Sequence, residues 1–252
     1  MKRARVVYES VVREAREQGD KLLLDDGRVV GEGQVRWLPP VEAPGAIFAL
    51  GLNYAAHAKE LAFKAPTDPL IFLKSATSLI GHRQHTLRPH GLQFLNHECE
   101  LAVVIGKTAR RVRADEAMDF VAGFTVANDY AFRDYLENYY RPNLRVKSRT
   151  HATPLGPWLV DRDDVPDPMN LTLRTMVNGK VTQEGSTRDM IFSPAALIEY
   201  LSGFMMLSPG DLILTGTPEG LADCKAGDVV VTEIEGVGRL QNTIMEFAPP
   251  PP

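Results

Sequence analysis

Two glutamates stand one residue apart in "NHECELAVVIGK", residues 96–107, and the following run from Leu101 to Ile105 carries no polar side chain. A strand alternates its faces with a period of two, so Glu98 and Glu100 point the same way while Cys99 faces the opposite side. Adjacent carboxylates repel each other and are costly to bury unless a positive group sits between them. Hard cations such as Mg²⁺ and Mn²⁺ take oxygen ligands, often a few carboxylates completed by water and substrate. Asp129, where the apolar run "FTVAND" gives out, is the candidate third ligand. A solvated strand edge explains many Glu-x-Glu pairs; a pair feeding a wholly apolar strand favours the cation.

His57 and Glu60 lie three apart in "YAAHAKELAF", on one face of a short helix. A carboxylate beside an imidazole orients the ring and raises its basicity, the makings of a general acid–base unit. Such pairs are also common as structural or solvated contacts. Lys74 interrupts the apolar "LIFLKSATSL" and either meets an anion or buries its stem. Lys147 and Arg149 in "RVKSR" are anion contacts or surface charge. "TGTPEG", Thr215 to Gly220, offers backbone N–H groups and hydroxyls that suit a carboxylate, and reads equally as a strand-to-loop turn.

These residues need a scaffold. The chain has 252 residues, 44% hydrophobic and 24% charged, as in an ordinary globular protein. A net charge of −4 gives no basic footprint for nucleic acid. No apolar run approaches the roughly 18 residues of a membrane span, and "MKRARVVYESVVREARE" lacks the apolar core of a signal peptide. Two cysteines, Cys99 and Cys224, form no CxxC, so a reducing cytoplasm is the expected compartment. The tail "APPPP" is expected to fray.

Residues 1–42 form short alternating runs with a hairpin at Asp26–Gly27, a small β-rich piece that Pro39–Pro40 ends; residues 43–248 form the main domain. The pattern predicts a strand at "AIFALGLN" and a second apolar strand region at "LIFLKSATSLIG". An amphipathic helix is predicted to open at Arg113 and stop at Gly123, before the strand "FTVAND". Further hairpins are predicted about Asn178–Gly179 and Gly236–Gly238. Ser193–Pro194 caps a helix over "AALIEYLSGFM". Strands outnumber helices in an order that is not βαβα, so the fold class is α+β, mostly β.

The motifs "GLNYAAHAKE", "PLIFLKSATSLIG", "HECELAVVIGK", "VAGFTVANDYAFRD", "SPGDLILTGTPEG" and "IEGVGRLQN" occur in the order found in the fumarylacetoacetate hydrolase family. The resemblance runs from about residue 45 to 246 and implies the family's mixed β-roll with a few peripheral helices, usually as a homodimer. It implies Mg²⁺ or Mn²⁺ on Glu98, Glu100 and Asp129, and a His57–Glu60 dyad on a mobile lid helix. It implies an active-site role for Lys147, a carboxylate-holding role for Thr217, and a substrate-side role for Arg133. Lys74 is then a further counter-charge. One departure stands out: Thr150 and His151 occupy the segment where the family usually has an aspartate.

The stretch "NDYAFRDYLENYYRPNLRVKSR" is similar to a decarboxylase/isomerase branch of that family, most of all to the C-terminal half of a fused bifunctional form. That implies activity on 5-carboxymethyl-2-oxo-hex-3-ene-1,6-dioate and 2-hydroxyhepta-2,4-diene-1,7-dioate in aromatic catabolism. A 2-oxo acid can chelate an open cation through two adjacent oxygens, and one dienolate serves both reactions. The same site would suit acylpyruvate hydrolysis or oxaloacetate decarboxylation. A non-catalytic metal-binding partner of a sister chain is the alternative outside enzymology, and the complete set of site residues argues against it.

Overall fold

The computed structural model describes residues 1–136 and 143–247. The predicted fraying tail and part of the "RDYLENYYRPN" stretch lie outside the described residues. In chain order the strands open with β1 (Lys2–Tyr8), β2 (Val11–Gln18), β3 (Lys21–Leu24), β4 (Val29–Gly31), β5 (Arg36–Leu38) and β6 (Ile47–Gly51). Helix α1 (Ala55–Glu60) follows, then β7 (Leu70–Leu73), β8 (Leu79–Ile80), β9 (His85–Pro89), β10 (Leu95–Asn96), β11 (Cys99–Ile105), β12 (Val121–Asn128) and β13 (Ala131–Phe132). After α2 (Leu144–Lys147) come β14 (Thr153–Asp161), β15 (Thr172–Val177) and β16 (Lys180–Ser186). Helix α3 (Pro194–Phe204), β17 (Leu212–Leu214), β18 (Val229–Ile234) and β19 (Gly238–Phe247) complete the set.

The strands form a 12-stranded sheet of order β4-β3-β2-β1-β14-β12-β11-β17-β6-β7, with β5 on β1 and β8 on β14. A five-stranded sheet, β16-β15-β18-β19-β9, packs against it, and β10–β13 forms a small ladder. Helices are few and peripheral, so the protein is α+β and mostly β. The strands of residues 1–42 continue the large sheet, since β1 pairs antiparallel with β14.

β11 explains the centre of the molecule. Every residue from Cys99 to Ile105 is buried, because β12 and β17 flank the strand and both of its faces are covered. Cys99, Leu101, Val103 and Ile105 pack into one core cluster; Ala102 and Val104 pack into another with Ile47, Ala49, Leu212 and Leu214. Burying each large side chain contributes roughly 1.5–3 kcal/mol. The period of two therefore separates Cys99 from the face that carries Glu100.

The hairpins at Asp26–Gly27, Asn178–Gly179 and Gly236–Gly238 form as the turn residues predict. The Ser193 hydroxyl accepts from Ala196 N–H, and Pro194 begins α3. The predicted helix from Arg113 to Gly123 shrinks to one 3₁₀ turn, Ala117–Phe120, and β12 starts at Val121. Pairing of Val121 with Ile105 and of Gly123 with Val104 claims those residues for the sheet and overrides the local helical pattern.

Candidate active site

Strand register assembles the carboxylates. Cys99 pairs with Asn128, and Asp129 N–H donates to Glu98 O at 2.9 Å, so Glu98 and Asp129 face each other where the ladder ends. Asn128 is buried beside them; its Oδ1 accepts from Glu98 N–H at 2.9 Å and its Nδ2 donates to Thr232 Oγ1 at 3.0 Å. Ligand oxygens of Glu98, Glu100 and Asp129 lie within 4.8 Å of one another, and all three residues are buried.

β17 brings the loop "TGTPEG" to the same end. Gly216 N–H donates to Glu100 Oε2 at 2.7 Å. Its φ is +86°, and a Cβ there would come within 2.8 Å of Asn53 Cβ, so glycine is needed for this approach. Asn53 itself is buried and ties Thr215 O and Phe192 O together at 2.7 and 3.0 Å.

Three cations face the three carboxylates. Lys147 Nζ lies 2.5 Å from Glu98 Oε2 and 3.0 Å from Asp129 Oδ2, and donates to Asp129 O at 2.9 Å. Lys74 Nζ lies 2.5 Å from Asp129 Oδ1 and also donates to Lys147 O. Arg133 Nη2 donates to Glu98 Oε1 at 2.8 Å, held by Nε on Asn96 Oδ1 at 2.9 Å. Burial pushes Glu100 well above the usual carboxylate range, helped by the charges of Asp129 and Glu98. Burial also acts on Asp129, but Lys147 and Lys74 outweigh it and hold that carboxyl below its ordinary value. Burial lowers Lys74, whereas for Lys147 the charges of Asp129 and Glu98 overcome burial and raise it.

The residues fit a hard dication. Glu100 Oε1 is buried with no hydrogen-bond partner, and Asp129 Oδ2 has an ammonium nearby without hydrogen-bond geometry. Such orphaned anionic oxygens are expensive in a protein interior, and converging oxygen donors are what Mg²⁺ and Mn²⁺ prefer.

His57, Glu98, Arg133, Lys147 and Thr217 line one cavity, whose outer wall is apolar: Leu61, Phe63, Leu70, Phe72, Leu136 and Val146. His57 Nδ1 lies 3.0 Å from Glu60 Oε2, while Glu60 Oε1 accepts from Gly220 N–H and Leu221 N–H at 3.0 and 3.3 Å. Lys74 departs from the expected counter-charge to substrate. Its side chain is wholly buried and does not line the cavity; its ammonium is engaged by Asp129 Oδ1 and Lys147 O. Thr150 and His151 are also away from the cavity; Thr150 lines a separate depression with Arg145 and Phe247.

The profile of the fumarylacetoacetate (FAA) hydrolase C-terminal family matches residues 46–245. The chain belongs to the fumarylacetoacetate hydrolase family. It is 61% identical, over 82% of its length and 48% of the relative's, to a 4-hydroxyphenylacetate degradation bifunctional isomerase/decarboxylase of Salmonella dublin. The chain thus spans about half the length of the curated bifunctional relatives it matches. The crystal structure of 5-carboxymethyl-2-hydroxymuconate delta-isomerase from Mycobacterium smegmatis superposes with a TM-score of 0.87 at 37% identity, covering 98% of this chain and 99% of that one. Maleylpyruvate hydrolase from Sphingobium sp. SYK-6, solved in complex with manganese(II) and pyruvate, superposes at 0.84 with 26% identity, covering 98% and 99%. The family's β-roll is therefore the fold of this chain. No helix among the described residues is long and apolar enough to cross a membrane.

Proposed function

We propose that this chain is a divalent-metal-dependent decarboxylase/isomerase of 2-oxo di- and tricarboxylates: the tricarboxylate 5-carboxymethyl-2-oxo-hex-3-ene-1,6-dioate and its decarboxylation product 2-hydroxyhepta-2,4-diene-1,7-dioate. The observation that carries the reading is the charge balance of the site. Glu98, Glu100 and Asp129 are matched by Lys74, Lys147 and Arg133. With all three carboxylates ionised this set is neutral, and a bound dication would add two positive charges that favour a di- or tri-anionic substrate.

Glu98, Glu100 and Asp129 would hold Mg²⁺ or Mn²⁺, which when bound supplies a Lewis acid for the adjacent oxygens of a 2-oxo acid. Thr217 and Arg133, which line the cavity, would bind carboxylates, and the apolar outer wall would shield the reacting carbons from water. Loss of CO₂ leaves its electron pair in the conjugated enolate. Glu60 on Nδ1 leaves His57 Nε2 as the nitrogen that delivers a proton to carbon or removes one. Isomerisation uses the same proton transfer without loss of CO₂.

The 61% identity to an isomerase/decarboxylase supports this choice over C–C hydrolysis of an acylpyruvate or decarboxylation of oxaloacetate. The complete carboxylate trio and dyad speak against a non-catalytic partner. The deciding experiment incubates the purified chain with a panel of 2-oxo di- and tricarboxylates and acylpyruvates with Mg²⁺ or Mn²⁺, following CO₂ and dienol absorbance. CO₂ release from the carboxymethyl substrate is expected; turnover of acylpyruvates alone would overturn the reading.

A further inference from the structure

Gln183 is a buried polar side chain that bonds the loop "TGTPEG" and that neither the carboxylate cluster nor the dyad uses. It sits on β16, only 2% exposed, and its amide spends every polar atom on two separate parts of the site. Oε1 accepts from Cys99 N–H at 3.2 Å and from the Thr175 hydroxyl at 3.1 Å. Nε2 donates to Pro218 O and to Thr217 Oγ1, both at 2.8 Å. Cys99 N lies between the paired glutamates, and Thr217 lines the cavity.

The chemistry of these partners fixes the direction of each bond. A backbone N–H only donates and a carbonyl only accepts, so Cys99 N–H and Pro218 O allow one orientation of the amide. Nε2 therefore faces Thr217 and can only donate to it. With its oxygen accepting that bond, the Thr217 hydroxyl has its own proton left to give. It donates no hydrogen bond among the described residues, and the side chain borders the cavity.

We propose that Gln183 is a positioning residue: it orients the Thr217 hydroxyl so that its proton points into the cavity, ready to donate to a substrate carboxylate. This rests on the reading of Thr217 given under Proposed function. Gln183 also joins the carboxylate strand to the loop, so the donor and the metal ligands are held in one frame. Close packing supports that rigidity: a Cβ on Gly220 would come within 3.1 Å of Gln183 Cα, and one on Gly185 within 2.7 Å of Pro218 Cβ.

The test is calorimetric titration of oxalate, which carries two carboxylates on adjacent carbons, into Mn²⁺-saturated protein. Gln183→Met fills the space without donating, and Gln183→Glu keeps the acceptors for Cys99 and Thr175 while removing the donor. Thermal unfolding identifies a variant that fails to fold, and the other then carries the comparison. Each should weaken oxalate about tenfold, the loss of one hydrogen bond to a charged group, while Mn²⁺ affinity stays within about twofold. In a Thr217→Val background, Gln183→Met should cost nothing further. Additive losses, or oxalate binding that both folded variants leave unchanged, would overturn the positioning role alone. Failure of the wild-type protein to bind oxalate with Mn²⁺ would overturn the underlying reading of the site and this role with it.

Discussion

Glu60 serves two masters at once: one carboxylate oxygen is 3.0 Å from His57 Nδ1 and the other accepts from Gly220 N–H and Leu221 N–H. The residue that orients the imidazole is thereby the residue that pins α1 to the substrate loop.

Separate substitutions should split those roles. Glu60→Gln keeps an oxygen for the loop N–H groups but removes the charge beside the ring, so kcat should fall roughly tenfold or more with KM little changed. Glu60→Ala loses both contacts, and amide hydrogen exchange over α1 should accelerate as well. Equal exchange rates in both variants would show that the loop contact does not hold the helix.

His57→Ala should lower kcat by about 10²–10⁴-fold, the usual range for a lost acid–base group, while Mn²⁺ binding survives. CO₂ loss leaves an enolate that water can protonate, so the variant should still release some CO₂ and accumulate the conjugated dienol, seen as persistent ultraviolet absorbance. His151 does not line the cavity, so adding His151→Ala should change nothing. Loss of both activities by one factor, without dienol build-up, would contradict this division of labour.

The carboxylate cluster predicts a pH dependence in chelated protein. Glu100 has a folded-state pKa above its ordinary 4.5, so it binds protons more tightly folded than unfolded. Its stabilising contribution is present below pH 4.5 and is lost as pH rises towards the raised value. Asp129, lowered from 3.8, contributes the opposite: stability above that value, lost on acidification. Above about pH 5 Glu100 dominates, and Tm should fall as pH increases towards its raised value. Saturating Mg²⁺ or Glu100→Gln should flatten the profile; a chelated wild type with a Tm independent of pH would refute the assignment.

Chelation should abolish turnover, Mg²⁺ or Mn²⁺ should restore it, and Asp129→Asn should resist rescue at ordinary metal concentrations. Which ion serves better is read from kcat/KM with each.

An apolar strip on the outer face is proposed as the seat of a second copy of the chain. Leu73 is 59% exposed at the sheet edge and Phe204 is 63% exposed at the end of α3, both lining one groove with Leu144 and Tyr200. Such a patch marks an interaction surface. Light scattering should report a dimer for the wild type and a smaller species for Phe204→Asp.

Much of this site was legible because its residues break a pattern. Glu98 and Glu100 stand at the head of an apolar strand, and Asp129 ends another, so period and polarity marked them as candidates and the family resemblance joined them into one ligand set. His57 and Glu60 needed only helical spacing. Lys74 was legible as a buried cation but not its direction, because which side of Asp129 an ammonium occupies depends on the path after β7. Asn53, Asn128 and Gln183 escaped notice. Each is an amide whose partners are distant in sequence, and only the polar residue within "GLN", "VAND" or "VTQEG" hints at it. The helix expected at Arg113 failed for a related reason: local periodicity cannot see that Ile105 and Val104 claim the next strand.

The two ends of the cavity rest on strands of unequal support. β11, which carries the inner end, is held on both sides, whereas β7, which supplies Leu70 and Phe72 to the outer wall, pairs among the described residues only with β6. Changes of shape at the outer wall disturb one ladder; changes at the inner end disturb the centre of the sheet. A lineage, or an engineer, can therefore alter which chain of carbons is accepted by working on the margin, and leave the reaction chemistry where it is.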